Sequence, residues 1–361
     1  MDFYQVTAPA LHAFMVAAFR GARFDVAQAR RAADVLHYAD LNGHDTHGVA
    51  NLANIYLAGA RSGEIDPRAE GAWVADQGAC ATFDAQGGLG LLAGQVAMAR
   101  ALDKARDFGI GCTVVRNSSH FGAAGFYASM GLDQAMIAMA MTNLGHAPVA
   151  HPLGSVAPLL GTNPISFAAP PTKGSVPFVL DMSTTVCASG KIKQAVRLEQ
   201  NVPQGWLFDA QGETSGNPRD YLDQRASLPM LGGAFAEQGG HKGLGLGLMV
   251  EVLCGALAGA QTAADKGQDG RNNIGHFFLA INPGFFGSSN AFTGSLDALL
   301  GSISGAPVHP AYAPLSYPGQ PDSVTRAERL KNGIRLDSHL VSQLDEVADH
   351  CAIPRLARAA S

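Results

Sequence analysis

Charged side chains are scarce, at 15% of the 361 residues, and nowhere do lysines and arginines form a long block. With a formal net charge of only −5, the basic footprint of a nucleic-acid binder is missing, and no nucleic-acid partner is expected. Long apolar runs are lacking too. Leu244 to Ala260 comes nearest, but Glu251, Gly245, Gly247, Gly255 and Gly259 interrupt it, short of the roughly 18 apolar residues that a membrane span needs. No membrane association is expected. Met1 to Phe19 has no basic leader region and reads as an amphipathic helix rather than a secretion signal, so the expected location is the cytoplasm. The five cysteines (Cys80, Cys112, Cys187, Cys254 and Cys351) are scattered, odd in number and never spaced Cys-x-x-Cys. Neither a disulfide framework nor a zinc site is indicated. Cys187 lies beside residues considered below, but no His or Asn context marks it as a nucleophile.

What is present is a hydrophobic share of 47% and 43 glycines, the balance of a compact α/β enzyme with many tight loops. The length corresponds to about two domains. The first seventy residues look helical. Asp25 caps a helix with Gln28 at the capping-box position, apolar residues recur at Val26, Ala29, Ala33, Leu36 and Leu41, and Gly43 stops it. A second helix is expected over Asn51 to Gly63, broken by Ile65-Asp66-Pro67. From Trp73 onward the pattern alternates: a helix over Gly94 to Asp107, then strands at Cys112–Arg116, Met136–Thr142, Ile165–Ala169, Phe178–Asp181 and His276–Ile281. Short connections such as Pro170-Pro171-Thr172-Lys173-Gly174 make part of this sheet antiparallel, unlike a doubly wound βαβ repeat. Beyond Pro307 the chain turns Pro-rich and ends in two polar helices from about Ser323 and Asp337.

Several clusters carry groups suited to chemistry. His44-Asp45-Thr46-His47-Gly48 places two imidazoles, a carboxylate and a hydroxyl in a loop after a helix end, where a proton acceptor with a pKa near neutrality can be oriented. The same residues also read as a surface turn with caps, and no third ligand accompanies them, so no metal is expected. Arg116-Asn117-Ser118-Ser119-His120-Phe121-Gly122-Ala123-Ala124 follows a strand with small residues that let a phosphate approach backbone N–H groups, or that simply turn the chain into a helix. Gly87-Gly88-Leu89-Gly90 lacks the G-x-G-x-x-G spacing, and Gly240-His241-Lys242-Gly243-Leu244-Gly245-Leu246-Gly247 follows no clear strand, so neither is a Rossmann fingerprint. The second run opens a helix expected over Leu248 to Ala258, with Lys242 placed for a diphosphate, although helix packing explains its glycines equally well. Gly161-Thr162-Asn163-Pro164 and Leu180-Asp181-Met182-Ser183-Thr184 are strand-end segments, readable as ligand contacts or as turn and cap.

In joint order, Thr46-His47-Gly48-Val49, Asn117-Ser118-Ser119-His120-Phe121-Gly122, Gly161-Thr162-Asn163-Pro164-Ile165, Leu180-Asp181-Met182, Lys242-Gly243-Leu244-Gly245-Leu246 and Pro318-Gly319-Gln320 resemble the type-2 malate/L-lactate dehydrogenase family over nearly the whole chain. That family also embraces sulfolactate, ureidoglycolate and diketogulonate oxidoreductases and reductases of cyclic imino acids. The resemblance implies an α/β fold with a non-Rossmann nicotinamide-binding domain, a mixed and largely antiparallel sheet flanked by helices, and a helical domain built from both termini. The corresponding boundaries are 1–72 for the helical N-terminal part, 73–305 for the nicotinamide-binding domain, and 306–361 for helices returning to the helical part. It further implies a homodimer and hydride exchange between NAD(P) and a small 2-hydroxy or 2-oxo acid.

By this resemblance His47 is the proton donor/acceptor, with Thr46 where the family usually has Ser, and His120 stands near both cofactor and substrate. His120, Phe121, Gly122, Ala123, Ala124, Asp181, Met182, Ser183, His241, Lys242, Gly319 and Gln320 would bind cofactor; Asn51 and Thr162 would meet substrate. Asn51 departs from the Arg most members carry four residues after the catalytic His to clamp a carboxylate. Lys191 stands where the cyclic-imine reductases use an Asp, which favours the hydroxy-acid branch. The stretch from Gly270 through Pro283, with Tyr317-Pro318-Gly319-Gln320, most resembles the ureidoglycolate branch. A piperideine- or pyrroline-2-carboxylate reductase and an inactive nicotinamide-binding homologue remain the alternatives. Gly319-Gln320-Pro321-Asp322-Ser323 offers no immediate arginine to a 2′-phosphate, so NAD is expected as cofactor, with NADP the alternative.

Overall fold

A computed structural model describes residues 2–145, 148–155, 157–265, 271–311, 313 and 315–360. The chain opens with a short strand, β1 (Phe3–Val6), not with the single helix expected over Met1 to Phe19. Aromatic and β-branched residues take this strand because it pairs antiparallel with Ile334–Asp337 near the other end of the chain, Phe3 opposite Asp337. Helix α1 (Ala8–Gly21) then starts at Thr7, whose hydroxyl accepts the Ala10 N–H at 3.3 Å. Helix α2 (Val26–Leu41) carries the expected capping box, Asp25 and Gln28 bonded reciprocally at 2.8 and 3.1 Å. After the loop 42–48 the chain is helical again through Ser62, with a π-helical stretch of wider turns over Leu52–Leu57, until Gly63 ends it at φ +80°.

A seven-stranded sheet forms the body of the molecule. In chain order its strands are β2 (Ala72–Gln77), β3 (Cys80–Asp84), β4 (Ile110–Ser118), β5 (Ile137–Thr142), β6 (Ile165–Ala169), β7 (Phe178–Met182) and β8 (Ile274–Ile281), in the spatial order β2-β3-β4-β8-β5-β6-β7. Only β3 and β4 run parallel, joined by helix α3 (Gly90–Phe108); every other neighbouring pair is antiparallel. The mixed, largely antiparallel expectation therefore holds, and the missing Rossmann fingerprint has a structural counterpart. Side chains alternate across the sheet. Val115, Ala138, Ala140, Phe278 and Ala280 join the core built around α1, α2 and α3. Val114, Met141, Ile165 and Phe277 face the opposite layer with Val250 and Cys254.

That opposite layer is helix α5 (Gly240–Val250), which follows α4 (Ser189–Arg197) and continues with wider, π-helical turns to Ala256. The glycine run thus lies inside the helix rather than ahead of it, correcting the expected start at Leu248. A Cβ at Gly243 would sit 2.2 Å from the Leu231 carbonyl oxygen, and one at Gly247 would sit 2.5 Å from Met230 Cε. Close packing against the Met230–Leu231 segment is what Gly243 and Gly247 serve, whereas Gly245 faces open space. A smaller sheet, of Ala150–His151, Leu207–Asp209, Thr214–Ser215 and Ala226–Pro229, gave no signal in the sequence. Its strands are too short for a readable period of two. The chain closes with α6 (Gln320–Asn332), β9 (Ile334–Asp337) and α7 (Ser338–Cys351), the last capped by Asp337, whose carboxylate accepts the Leu340 N–H at 2.9 Å. Cys351 packs against Gly21, so the two ends of the chain share one helical layer.

Candidate active site

The loop carrying His47 is held from below and from the side. Asp40, in the last turn of α2, is buried, and its carboxylate accepts the Val49 N–H at 2.9 Å. Burial pushes this carboxyl well above the usual range, against the pull of that N–H. A Cβ at position 48 would come within 1.9 Å of Asp40 Oδ1, which is why glycine follows His47. From the side, α6 supplies Arg329, bonded to the Asp45 carboxylate and the Asp40 carbonyl, and Asp322, whose carboxylate lies 3.2 Å from His44 Nε2. Burial alone would lower His44, but the bond to Asp322, with Asp181 and Asp45 nearby, raises its pKa above the ordinary 6.5.

His47 is lowered instead. Enclosure disfavours its charged form and outweighs the attraction of Asp181. Its Nδ1 lies 2.9 Å from Thr46 Oγ1, leaving Nε2 as the ring nitrogen without a protein partner among the described residues. The ring stacks at 6.1 Å and 20° on His120, which the end of β4 presents. His120 Nδ1 accepts the Gly122 N–H at 3.2 Å, so the Tyr56 hydroxyl 2.8 Å away must donate to it as well. Burial, aided by His47 and Lys193, pushes this imidazole down to about 3. A neutral ring with an accepting Nδ1 carries its proton on Nε2 and is a hydrogen-bond donor there. Asp181, at the end of β7, is oriented by the Gly125 N–H at 2.7 Å.

Two adjoining cavities meet at His47. One, of about 450 Å³, is walled by His44, Gly122 to Ala124, Asp181 to Ser183 and Lys191. The other, of about 460 Å³, is walled by Asn51, Asn54, Ser119, His120, Ser189 and Lys193. Thr46, His47, Thr162 and Ala188 line both. The sequence-derived residues Thr46, His47, His120, Gly122, Ala123, Ala124, Asp181, Met182, Ser183, Asn51 and Thr162 are thereby brought together. Asn51 spends an amide N–H on the Thr46 carbonyl, at 3.0 Å.

The remaining sequence-derived residues lie elsewhere. Phe121 is fully buried, its ring stacked 4.7 Å from His276 and 4.8 Å from Tyr127, so only its backbone is near the cleft. His241 and Lys242 are exposed in the first turn of α5 and wall neither cavity. Gly319, at φ +101°, packs where a Cβ would lie 2.5 Å from the Pro177 carbonyl oxygen, and Gln320 accepts the Tyr317 N–H at 3.1 Å. Both open α6 away from the cavities. Gly270 lies outside the described residues. Sequence reasoning missed Asp40, Tyr56, Asn54 and Lys193, which stand on helices where nothing local separates a site residue from a solvated one.

The first cavity fits the flat amide-bearing end of a nicotinamide cofactor. Small side chains at Gly122, Ala123, Ala124 and Ala188 leave an open apolar face, and Thr46, Ser183 and Thr185 add hydroxyls that can meet an amide. A Cβ at Gly190 would sit 2.4 Å from Thr46 Cβ, so α4 is seated on the His47 loop by close contact of its backbone.

Comparison with known proteins agrees with this geometry. The sequence profile of the malate/L-lactate dehydrogenase family matches residues 6–345. The chain is 37% identical over 330 residues to a malate dehydrogenase of Pyrococcus abyssi, covering 91% of this chain and 90% of that protein. It is 33% identical over 328 residues to an L-sulfolactate dehydrogenase of Methanocaldococcus jannaschii, covering 90% and 91%. The crystal structure of malate dehydrogenase from Entamoeba histolytica superimposes with a TM-score of 0.92 at 27% identity, covering 98% of this chain and 99% of that one. Membership implies a nicotinamide cofactor. The chain belongs to the malate/L-lactate dehydrogenase family and is an oxidoreductase of the hydroxy-acid dehydrogenase class.

Proposed function

We propose that the cavity beside Asp181 holds the nicotinamide end of NAD, that the cavity beside His120 holds a small 2-oxo or 2-hydroxy acid, and that His47 exchanges the substrate proton. The observation that carries this reading is the position of His47 on the wall common to both cavities. When bound, the nicotinamide supplies or receives the hydride at substrate C2. Thr46 Oγ1 accepts the His47 Nδ1–H and so keeps Nε2 as the working nitrogen. In oxidation Nε2 takes the hydroxyl proton; in reduction the imidazolium returns it to the oxygen of the 2-oxo acid. His120, fixed by Tyr56 and Gly122, offers its Nε2–H to that same oxygen. Thr162, common to both cavities, contributes a hydroxyl to the substrate.

NAD rather than NADP is favoured because the loop from Gly319 to Ser323 offers no immediate arginine to a 2′-phosphate and Arg329 is engaged by Asp45. The working unit is a homodimer, a reading supported by exposed Leu248, Met249, Val252 and Leu257 along one helical stretch. A panel of 2-oxo acids and piperideine-2-carboxylate, assayed with NADH and NADPH in parallel, tests the class. Faster reduction of the cyclic imine than of every 2-oxo acid overturns the substrate assignment. His47→Asn should lower turnover about 10²- to 10⁴-fold while NADH binding, followed by fluorescence, stays intact. Near-normal turnover removes His47 from its role.

A further inference from the structure

A 2-oxo acid brings a carboxylate one bond away from the carbon that exchanges hydride. Placing that charge in a cleft without a partner is costly, so the cavity that holds the reacting oxygen must also hold a counter-charge. Asn51 is neutral and already bonded to the Thr46 carbonyl. His120 is held neutral by burial. Among the described residues lining the cavity shared by His47 and His120, Lys193 is the one lysine or arginine.

We infer that Lys193 of α4 is the carboxylate anchor of this substrate site and that it selects monocarboxylic 2-oxo acids. The inference rests on the functional reading above. Nearby cations are otherwise engaged: Arg197 bonds Asp337 at 2.8 Å, and Lys191 lines the first cavity with its ammonium 5.9 Å from the Trp206 ring. Lys193 has no ion pair or hydrogen bond among the described residues. Its helix is seated on the catalytic loop through the contact of Gly190 with Thr46, so the exposed Lys193 extends from a backbone fixed relative to the His47 loop. The flexible four-carbon stem suits it to reach a small acid as a point charge. Glu64 is the other Asp, Glu, Lys or Arg lining this cavity, bonded to Asn272. A second carboxylate on the substrate would therefore find no second lysine or arginine among the described lining residues, and an anion in the same cavity.

The test reads binding rather than turnover. Oxamate, a non-reducible analogue of a 2-oxo monocarboxylate, and tartronate, a dicarboxylate of similar size, are titrated calorimetrically into the complete protein saturated with NADH. Lys193→Gln should weaken oxamate binding roughly 10- to 100-fold, the size of a lost charge-assisted hydrogen bond. Lys193→Arg should stay within a few-fold of the parent, and the Kd for NADH should not change in either variant. Tartronate should bind the parent at least tenfold more weakly than oxamate. The anchor is overturned if the parent fails to bind oxamate, if the Gln variant binds it normally, or if NADH affinity falls with it. Selectivity is overturned if tartronate binds as tightly as oxamate. Lys193-dependent oxamate binding by a protein that turns over no 2-oxo acid would sink the dehydrogenase reading and leave the anchor standing.

Discussion

Thr46 Oγ1 lies 2.9 Å from His47 Nδ1, and a neutral imidazole carries a proton on one nitrogen only. If the hydroxyl accepts from Nδ1–H, Nε2 is a base; if it is absent, the ring can adopt the other tautomer and lose that role. Thr46→Val keeps the shape and removes the acceptor. It should lower kcat roughly 10- to 100-fold, an energy of about 1.4 to 2.7 kcal/mol, while Thr46→Ser stays near the parent. The pH profile separates this from mere misplacement. Burial lowers the His47 pKa below 6.5, so His47 is neutral at pH 7 and hydroxy-acid oxidation should rise as pH climbs through that lowered value and then level off. Reduction of the oxo acid, which needs the imidazolium, should fall along the same limb. A parent enzyme whose oxidation rate is still climbing steeply from pH 7 to 8 contradicts the assignment.

At the scale of elements, the site depends on how α4 meets the loop after α2. Gly190 touches Thr46 with no room for a methyl group, and the helix it opens places Lys191 on one cavity and Lys193 on the other. Gly190→Ala should therefore push the loop and helix apart, lowering kcat/KM for the 2-oxo acid at least tenfold with a change in Tm of only a few degrees. A variant as active as the parent would show that the loop is not positioned by this contact. Much of the framework was legible in the sequence: the α2 capping box, the strand at Ile165–Ala169 and the loop of His47 follow from local pattern. What was not legible came from contacts between distant segments. The strand Phe3–Val6 exists because Ile334–Asp337 lies beside it, and Gly243 and Gly247 of α5 answer to Leu231 and Met230. Tyr56 and Lys193 matter only because a helix turns them toward His120 and its cavity, and no local signal reports that direction.

At the scale of the whole molecule, the same burial that tunes the site makes the fold sensitive to acid. His276, on β8, is fully buried between Thr142 Oγ1 at 2.7 Å and Ser118 Oγ at 2.8 Å, and its ring stacks on Phe121 beneath the His120 turn. Burial, together with His120, pushes it down to about 3, matching His120 itself. Both imidazoles regain the ordinary value near 6.5 once the chain unfolds, so between about pH 6.5 and 3 the unfolded state binds more protons and stability falls as the solution is acidified. Each contributes a slope of about 1.4 kcal/mol per pH unit in that window. His44 acts in the opposite sense: its raised pKa gives a contribution that is complete below 6.5 and lost as pH rises through the folded value. The carboxylates held low by arginine and lysine partners, such as Asp76 and Asp345, lose their contribution only below the usual carboxylate range. Acidification from pH 6.5 to 5 should therefore lower Tm before those carboxylates titrate. Calorimetric unfolding at pH 5 in buffers of different ionisation enthalpy should register net proton uptake, with His37, His47 and His151 adding to His120 and His276 and the raised Asp40 carboxyl giving a proton back. An uptake that does not fall by about one proton in His120→Gln would mean that His120 is already charged in the folded protein, and the donor role of its Nε2–H in a neutral ring would fall with it.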